Sequence, residues 1–186
     1  EIGVNGATPF LIGAAKGELE AIGLAHYGAK TLAVVAGLKS GINSIKDLKG
    51  KKVGSQPGSA TDSVFLNKIL PKAGLTKDDV QMVNVRFQNH ISALASGSID
   101  AFAGVEPFPS VADVEKLGKV ITDYSDYDLQ PIILAANKST IDKNKYGVVA
   151  FMRGWLAAVK IYQDKRDLAT AIVPKHFKDQ GFSVDD

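Results

Sequence analysis

Small and polar residues follow several apolar runs of this sequence, at points where a folded chain could hold a ligand. Asn5 and Thr8 follow the first run, and Gln56 and Ser59 follow a later one. A serine or threonine before a helix caps it, and the unpaired N–H groups of the first turn attract anions. Two such helix starts in different lobes could hold one anion between them. The same residues would also serve as ordinary helix caps, and both interpretations stay open.

The segment from Gln56 to Thr61 carries the most specific of these patterns. Ser59 followed by Asp62 three residues later has the form of a capping box, which predicts a helix starting after Ser59. Thr8 followed by Pro9 likewise predicts an N-cap with proline at the first helical position. Ala60 and Thr61 belong to the predicted first turn of the later helix.

Two charged residues complete the set of candidates. Arg86 follows a predicted strand and could clamp an anion with two donors, although an exposed surface arginine would give the same pattern. Glu106 precedes a proline, and its carboxylate could accept from a ligand amine or hydroxyl or simply stand at a helix start. The predicted ligand-binding residues are Asn5, Thr8, Gln56, Ser59, Ala60, Thr61, Arg86 and Glu106.

Other kinds of chemistry find little support. The sequence has no cysteine, which excludes thiol catalysis and thiolate metal sites, and its histidines, His26, His90 and His176, lie far apart without metal-ligand spacing. No nucleophile stands beside a base, and no glycine pattern fits a nucleotide loop. We therefore expect no catalytic residue, no metal and no cofactor. With 22 basic and 20 acidic residues spread evenly, we also expect no nucleic-acid partner.

The elements that must position these residues alternate between strand-like and helix-like periods. This alternation predicts an α/β fold with mostly parallel sheets flanked by helices. Within the 186 residues, we expect 44–137 to form one lobe whose fifth strand is 132–136. Residues 1–43 and the helical segment 138–186 would pair as parts of the other lobe. The long helix of that segment has apolar residues on one face, at Val148, Met152, Trp155, Val159 and Tyr162.

Several segments resemble one known family. Asp47 to Thr61 reads DLKGKKVGSQPGSAT and closely resembles the solute-binding proteins of bacterial ABC importers, in the branch for sulfonates, taurine, nitrate and thiamine precursors. Gly3 to Pro9 (GVNGATP), Ser96 to Ala101 (SGSIDA) and Glu106-Pro107 resemble further motifs of that family, in family order. Members begin before the position of Glu1 and run past Asp186, so the first lobe is expected to be incomplete.

The resemblance implies a two-lobed type II periplasmic-binding-protein fold that closes on a small solute and delivers it to a membrane permease. It also implies a periplasmic or membrane-anchored extracellular location, and we expect a monomer that is not an enzyme. A sulfonate or taurine is the favoured solute, but a neutral heterocycle stays open. The alternatives are the ligand-sensing domain of a LysR-type regulator and a thiamine-pyrimidine protein of the same fold, whose synthase members are expected to need a cysteine-rich iron site.

Overall fold

The computed structural model describes residues 1–179, so the last seven residues of the predicted 138–186 segment lie outside the described part. The described chain falls into two compact units, which divide between Asn137 and Lys138. The first unit contains both β-sheets. The second unit is helical.

The smaller sheet has three strands in the order β1-β8-β2, and both pairs are antiparallel. The middle strand comes last in the chain and is buried at Leu134, Ala135 and Ala136. The helix α1, Ala7–Ala15, lies between the first two strands in sequence. The strands are β1 Ile2–Gly6, β2 Leu19–Tyr27 and β8 Pro131–Asn137.

The larger sheet has five strands in the order β5-β4-β6-β3-β7. Strand β4 is parallel to both of its neighbours, whereas β3 is antiparallel to β6 and β7. The strands are β3 Leu32–Gly37, β4 Lys52–Ser55, β5 Gln81–Asn84, β6 Ala101–Val105 and β7 Gly118–Asp123. Four α-helices lie between β4 and β7 in the chain: α2 Ala60–Val64, α3 Leu70–Lys72, α4 His90–Ala95 and α5 Phe108–Val114. A π-helical segment, Phe65–Ile69, joins α2 to α3.

Two sequence-based expectations about the sheets were wrong. The run 132–136 was expected in the five-strand sheet, but it lies between β1 and β2 in the smaller one, and its predicted place is taken by β3. The sheets were also expected to be mostly parallel, whereas four of the six strand pairs are antiparallel. Local periodicity identifies a strand but does not encode its partner, because a buried strand shows the same apolar run in either sheet.

The hydrophobic core sits between the larger sheet and the helical run from Ala60 to Lys72. Phe65 and Tyr124 are its largest side chains and are fully buried. Strand β3 is buried on both faces from Leu32 to Ala36, as expected for a strand near the middle of a covered sheet. This packing holds the carboxyl end of β4 and the start of α2 in place.

The helical unit contains α6 Lys138–Lys143, α7 Lys145–Asp164 and α8 Arg166–Asp179. The predicted long helix is confirmed, and the Asn144 side chain caps it by accepting from the Gly147 N–H at 3.0 Å. Of the predicted apolar face, Val148 is buried, whereas Tyr162 is 63% exposed. Within residues 1–179, every helix is either too short or too polar to span a bilayer.

Candidate functional site

The starts of α1 and α2 lie against each other. A Cβ atom built on Gly6 would stand 3.0 Å from the Cβ of Ala60, so only glycine fits at position 6 without displacing its neighbour. Gly6 is the N-cap of α1, and Ser59 is the N-cap of α2. The first turns of both helices, whose N–H groups have no partners within the helix, therefore start close to each other.

Ser59 caps α2 as predicted. Its Oγ accepts a hydrogen bond from the Asp62 N–H at 3.0 Å. The reciprocal half of the capping box does not form: the Ser59 N–H donates to the Gln56 carbonyl at 3.2 Å, and the Asp62 carboxylate accepts from the Ser55 hydroxyl at 2.7 Å. Gly58 has a φ of +79°, a left-handed conformation that lets the loop turn sharply into the helix.

The predicted cap of α1 was wrong. The helix begins at Ala7 after Gly6, so Thr8 lies inside the first turn instead of before it. Pro9 follows within that turn, where its missing N–H leaves no hydrogen bond unmade. The close approach of Gly6 to Ala60 is a tertiary contact, which local propensity at Thr8-Pro9 does not reveal.

A cavity of about 340 Å³ opens beside the two helix starts. Its polar side chains come from Gln56, Ser59, Thr61 and Gln130, and none of its lining residues carries a charge. An anion would therefore be held by backbone N–H groups and hydroxyls instead of a salt bridge. The cavity is lined by Gly6, Pro9, Leu32, Gln56, Pro57, Gly58, Ser59, Ala60, Thr61, Phe87, Val105, Gln130 and Ile132.

Four of the eight predicted ligand-binding residues, Gln56, Ser59, Ala60 and Thr61, line this cavity. The other four, Asn5, Thr8, Arg86 and Glu106, each lie one position from a lining residue. The structure thus brings four of the eight to one cavity, and a binding role for all eight stays a prediction.

The two predicted charged residues are sequence neighbours of lining residues, Arg86 of Phe87 and Glu106 of Val105. Arg86 is exposed and precedes the short turn Phe87–Asn89. Glu106 is exposed, and its Oε2 accepts from the Ser110 N–H at 3.2 Å, which is the helix-start arrangement left open by the sequence. Neither position contributes to the lining, and their roles in binding stay predictions.

Sequence reasoning missed the apolar walls and one polar residue of the cavity. Phe87, in the turn after β5, and Ile132, in β8, supply walls, and the Phe87 N–H donates to Gln56 Oε1 at 3.3 Å. Gln130 is 2% exposed and stands where the chain returns to the smaller sheet. Its position directly before Pro131 was the available signal, but it marks only a turn.

A buried tyrosine makes a hydrogen bond to the first turn of α2. The Tyr124 hydroxyl donates to the Thr61 carbonyl at 3.1 Å. Burial, reinforced by the negative charge of Asp62, raises the pKa of Tyr124 well above its ordinary value, so the hydroxyl keeps its proton and remains a donor.

His90 lies behind the Phe87 wall. Its ring is fully buried among Phe87, Phe102 and Phe108, with ring centroids 4.7 to 6.4 Å away. Among the residues that the structure describes, neither ring nitrogen has a hydrogen-bond partner of ordinary geometry. Burial lowers the pKa of His90 from 6.5 to about 4, and the nearby Val85 backbone offsets only part of this effect. The imidazole is therefore neutral near pH 7.

No three histidine, cysteine or carboxylate side chains cluster closely enough to hold a metal ion within residues 1–179. The cavity itself offers amide, hydroxyl and backbone groups. Such groups suit a small polar solute.

Comparison with known proteins identifies the family. A family model described as NMT1/THI5 like matches residues 1–167. The chain belongs to this family. An Escherichia coli (strain K12) protein named for binding aliphatic sulfonates is 27% identical over 180 residues, which cover 94% of this chain and 55% of that protein. This NMT1/THI5-like chain spans about half the length of the curated relatives it matches.

Solved structures show the same fold as this NMT1/THI5-like chain. The periplasmic aliphatic sulphonate binding protein SsuA from Escherichia coli superposes with a TM-score of 0.82 at 24% identity, over 96% of this chain and 61% of that one. The desulfurization enzyme DSZB superposes with a TM-score of 0.67 at 16% identity, over 98% of this chain and 67% of that one. The α/β periplasmic-binding-protein fold is confirmed, with mixed sheets.

Proposed function

We propose that this chain captures a small solute for an ABC-type importer, with the solute bound between its two sheets. The observation that carries the proposal is the meeting of two helix starts at one cavity lined by Gln56, Ser59, Ala60 and Thr61. Membership of the NMT1/THI5-like family and homology to proteins named for binding aliphatic sulfonates support it. The favoured solute is a small organic anion, with sulfonates and taurine first.

Binding would use backbone dipoles and an uncharged pocket. The anionic group would lie against the N–H groups at the starts of α1 and α2, and the aliphatic part would contact Phe87, Leu32 and Ile132. Arg86 and Glu106 do not line the cavity but neighbour lining residues in sequence, and their contact with a solute stays a prediction. The proposed partners are the solute and a membrane permease, and the proposed location is the periplasm.

We also propose that the protein does not transform its solute. His90 does not line the cavity, and its buried imidazole is enclosed by aromatic rings, so it lacks the reach to a solute proton that a general base requires. Recovery of the bound solute unchanged after prolonged incubation, followed by mass spectrometry, is the expected result. A modified product would contradict this part of the proposal and favour an enzyme of the same fold.

A thermal-shift screen tests the binding function. The panel contains sulfonates, taurine, nitrate, carboxylates, pyrimidines and aromatic acids, and a ligand at about 100 times its dissociation constant adds roughly 2.7 kcal/mol to the stability. Ala60→Val adds two methyl groups beside Gly6 in the cavity lining, and it should abolish the ligand-induced rise in the unfolding midpoint. The matched control is Ala95→Val, an exposed position on α4 away from this cavity. An unchanged midpoint throughout the panel would favour the ligand-sensing alternative.

A further inference from the structure

Gln130 combines two unfavourable features at one position. Its side chain is 2% exposed, and its Oε1 receives no hydrogen bond from any residue that the structure describes. Its backbone has a φ of +50°, a left-handed conformation that is unusual for a residue other than glycine. A buried acceptor without a donor is destabilising, so such groups commonly have a functional explanation. Gln130 also lines the cavity described above.

The orientation of the Gln130 amide is set by Asp128. Asp128 Oδ1 accepts from the Gln130 Nε2 at 2.9 Å and from the Gln130 backbone N–H at 2.8 Å. Because a carboxylate only accepts hydrogen bonds, the amide nitrogen must face Asp128 and the amide oxygen must face away. The other carboxylate oxygen of Asp128 pairs with Lys68.

The carboxylate that sets this orientation stays charged. Burial raises the pKa of Asp128, but hydrogen bonds from Lys68 and Gln130 outweigh it, so the pKa lies below its ordinary value. The acceptor is therefore held in one orientation before any ligand arrives, which reduces the cost of ordering it on binding.

Gln130 also belongs to the connection between the two sheets. The two crossovers between the sheets are the segments 28–31, between β2 and β3, and 124–130, between β7 and β8. The Gln130 carbonyl accepts from the Gly28 N–H at 2.8 Å, and this bond joins the two crossovers. Ile132, two residues on, lines the same cavity from the smaller sheet, and Leu32 lines it from the larger one. Any closure of the sheets about these crossovers would change the surroundings of Gln130.

We propose that Gln130 Oε1 accepts a hydrogen bond from an N–H or O–H group of the solute and so selects solutes that carry such a donor. This inference rests on the proposed binding function and narrows its substrate class to anions with a second, donating group, such as aminoalkanesulfonates or hydroxyalkanesulfonates. Nitrate and simple alkanesulfonates lack that group. Since the oxygen is shielded from solvent in this structure, the contact forms as the sheets close around the solute, while Asp128 keeps the amide in its orientation.

Three sulfonates with one carbon skeleton provide the test: taurine with an amino group, isethionate with a hydroxyl and ethanesulfonate with neither. Isothermal titration calorimetry on the full chain should show taurine or isethionate binding about tenfold more tightly than ethanesulfonate, as expected for one hydrogen bond in a desolvated site. Gln130→Met keeps the length of the side chain and removes its oxygen. It should reduce the preference to less than about twofold, because it weakens taurine and isethionate binding more than ethanesulfonate binding.

Two further variants keep the test informative. Gln88→Met changes an exposed glutamine and should preserve the full preference. If Gln130→Met does not fold, Asp128→Ala removes the group that orients the amide and should lower the preference several-fold while the variant still unfolds cooperatively.

The outcomes separate this inference from the function on which it rests. Binding of all three sulfonates with equal affinity by the unmodified protein would overturn the role of Gln130 and leave the binding function standing. Equal weakening of all three by Gln130→Met would show a structural role only and would overturn it too. Binding of none of the three would overturn both the sulfonate assignment and the inference.

Discussion

His90 makes the stability of the fold depend on pH. Its pKa is lowered from 6.5 to about 4 in the folded protein, so between these values the unfolded chain binds a proton that the folded chain does not. The contribution of His90 to the free energy of unfolding is therefore greatest above pH 6.5. It falls as the pH drops toward 4, by about 3 kcal/mol in total.

Urea unfolding at a series of pH values measures this dependence. His90→Leu keeps an apolar side chain in the aromatic cage and should flatten the profile between pH 6.5 and 4. His26→Gln, at an exposed position of β2, is the matched control for the loss of a histidine. A profile that His90→Leu leaves as steep as the original would contradict the assignment.

At the scale of the element, Ser59 and Thr8 look alike in the sequence but should respond differently to the same change. Ser59→Ala removes the hydrogen bond to the Asp62 N–H and should lower the free energy of unfolding by about 1 kcal/mol. Thr8→Ala lies inside the first turn of α1, which Gly6 caps, and should change it by less than about 0.5 kcal/mol. Thermal and urea unfolding of both variants checks this, and equal losses would restore Thr8 as a cap.

The contact between the starts of α1 and α2 can be tested as a pair. Gly6→Ala places a methyl group 3.0 Å from the Ala60 Cβ and should destabilise the protein by about 1 kcal/mol. Ala60→Gly removes the opposing methyl group. Adding Gly6→Ala to the Ala60→Gly variant should therefore lower the free energy of unfolding much less than adding it to the unmodified protein. A double-mutant cycle in urea measures the coupling, and strictly additive effects would show that the two helices do not restrain each other.

At the scale of the whole molecule, any closure of the two sheets on a solute would have to bend the two crossovers that connect them. Gly28 and Gln130 join them by a backbone hydrogen bond, and the Tyr124 N–H bonds back to the Ala29 and Leu32 carbonyls. Few residues connect the sheets, and such short connections commonly act as hinges. We expect a solute that raises the unfolding midpoint also to reduce the radius of gyration in small-angle scattering, and an unchanged radius at saturation would argue against closure.

Much of the candidate site could be predicted because its signals are local. A serine N-cap with Asp62 three residues later, and the glycine of the preceding turn, indicate a helix start whatever surrounds them. The long helix α7 follows from its apolar face in the same way. The family motifs are also local, and the family they indicated is confirmed.

The partners of the strands and the surroundings of single polar groups were decided only by the tertiary structure. Strand β8 has the apolar run of a core strand, yet which sheet received it depended on pairing with residues more than a hundred positions away. Gln130 lies in an ordinary polar turn, and only the folded chain buries it, orients it through Asp128 and leaves its oxygen unpaired beside the cavity. Helix starts arise from interactions within a few residues, whereas sheet order and burial arise from contacts that the local sequence does not contain.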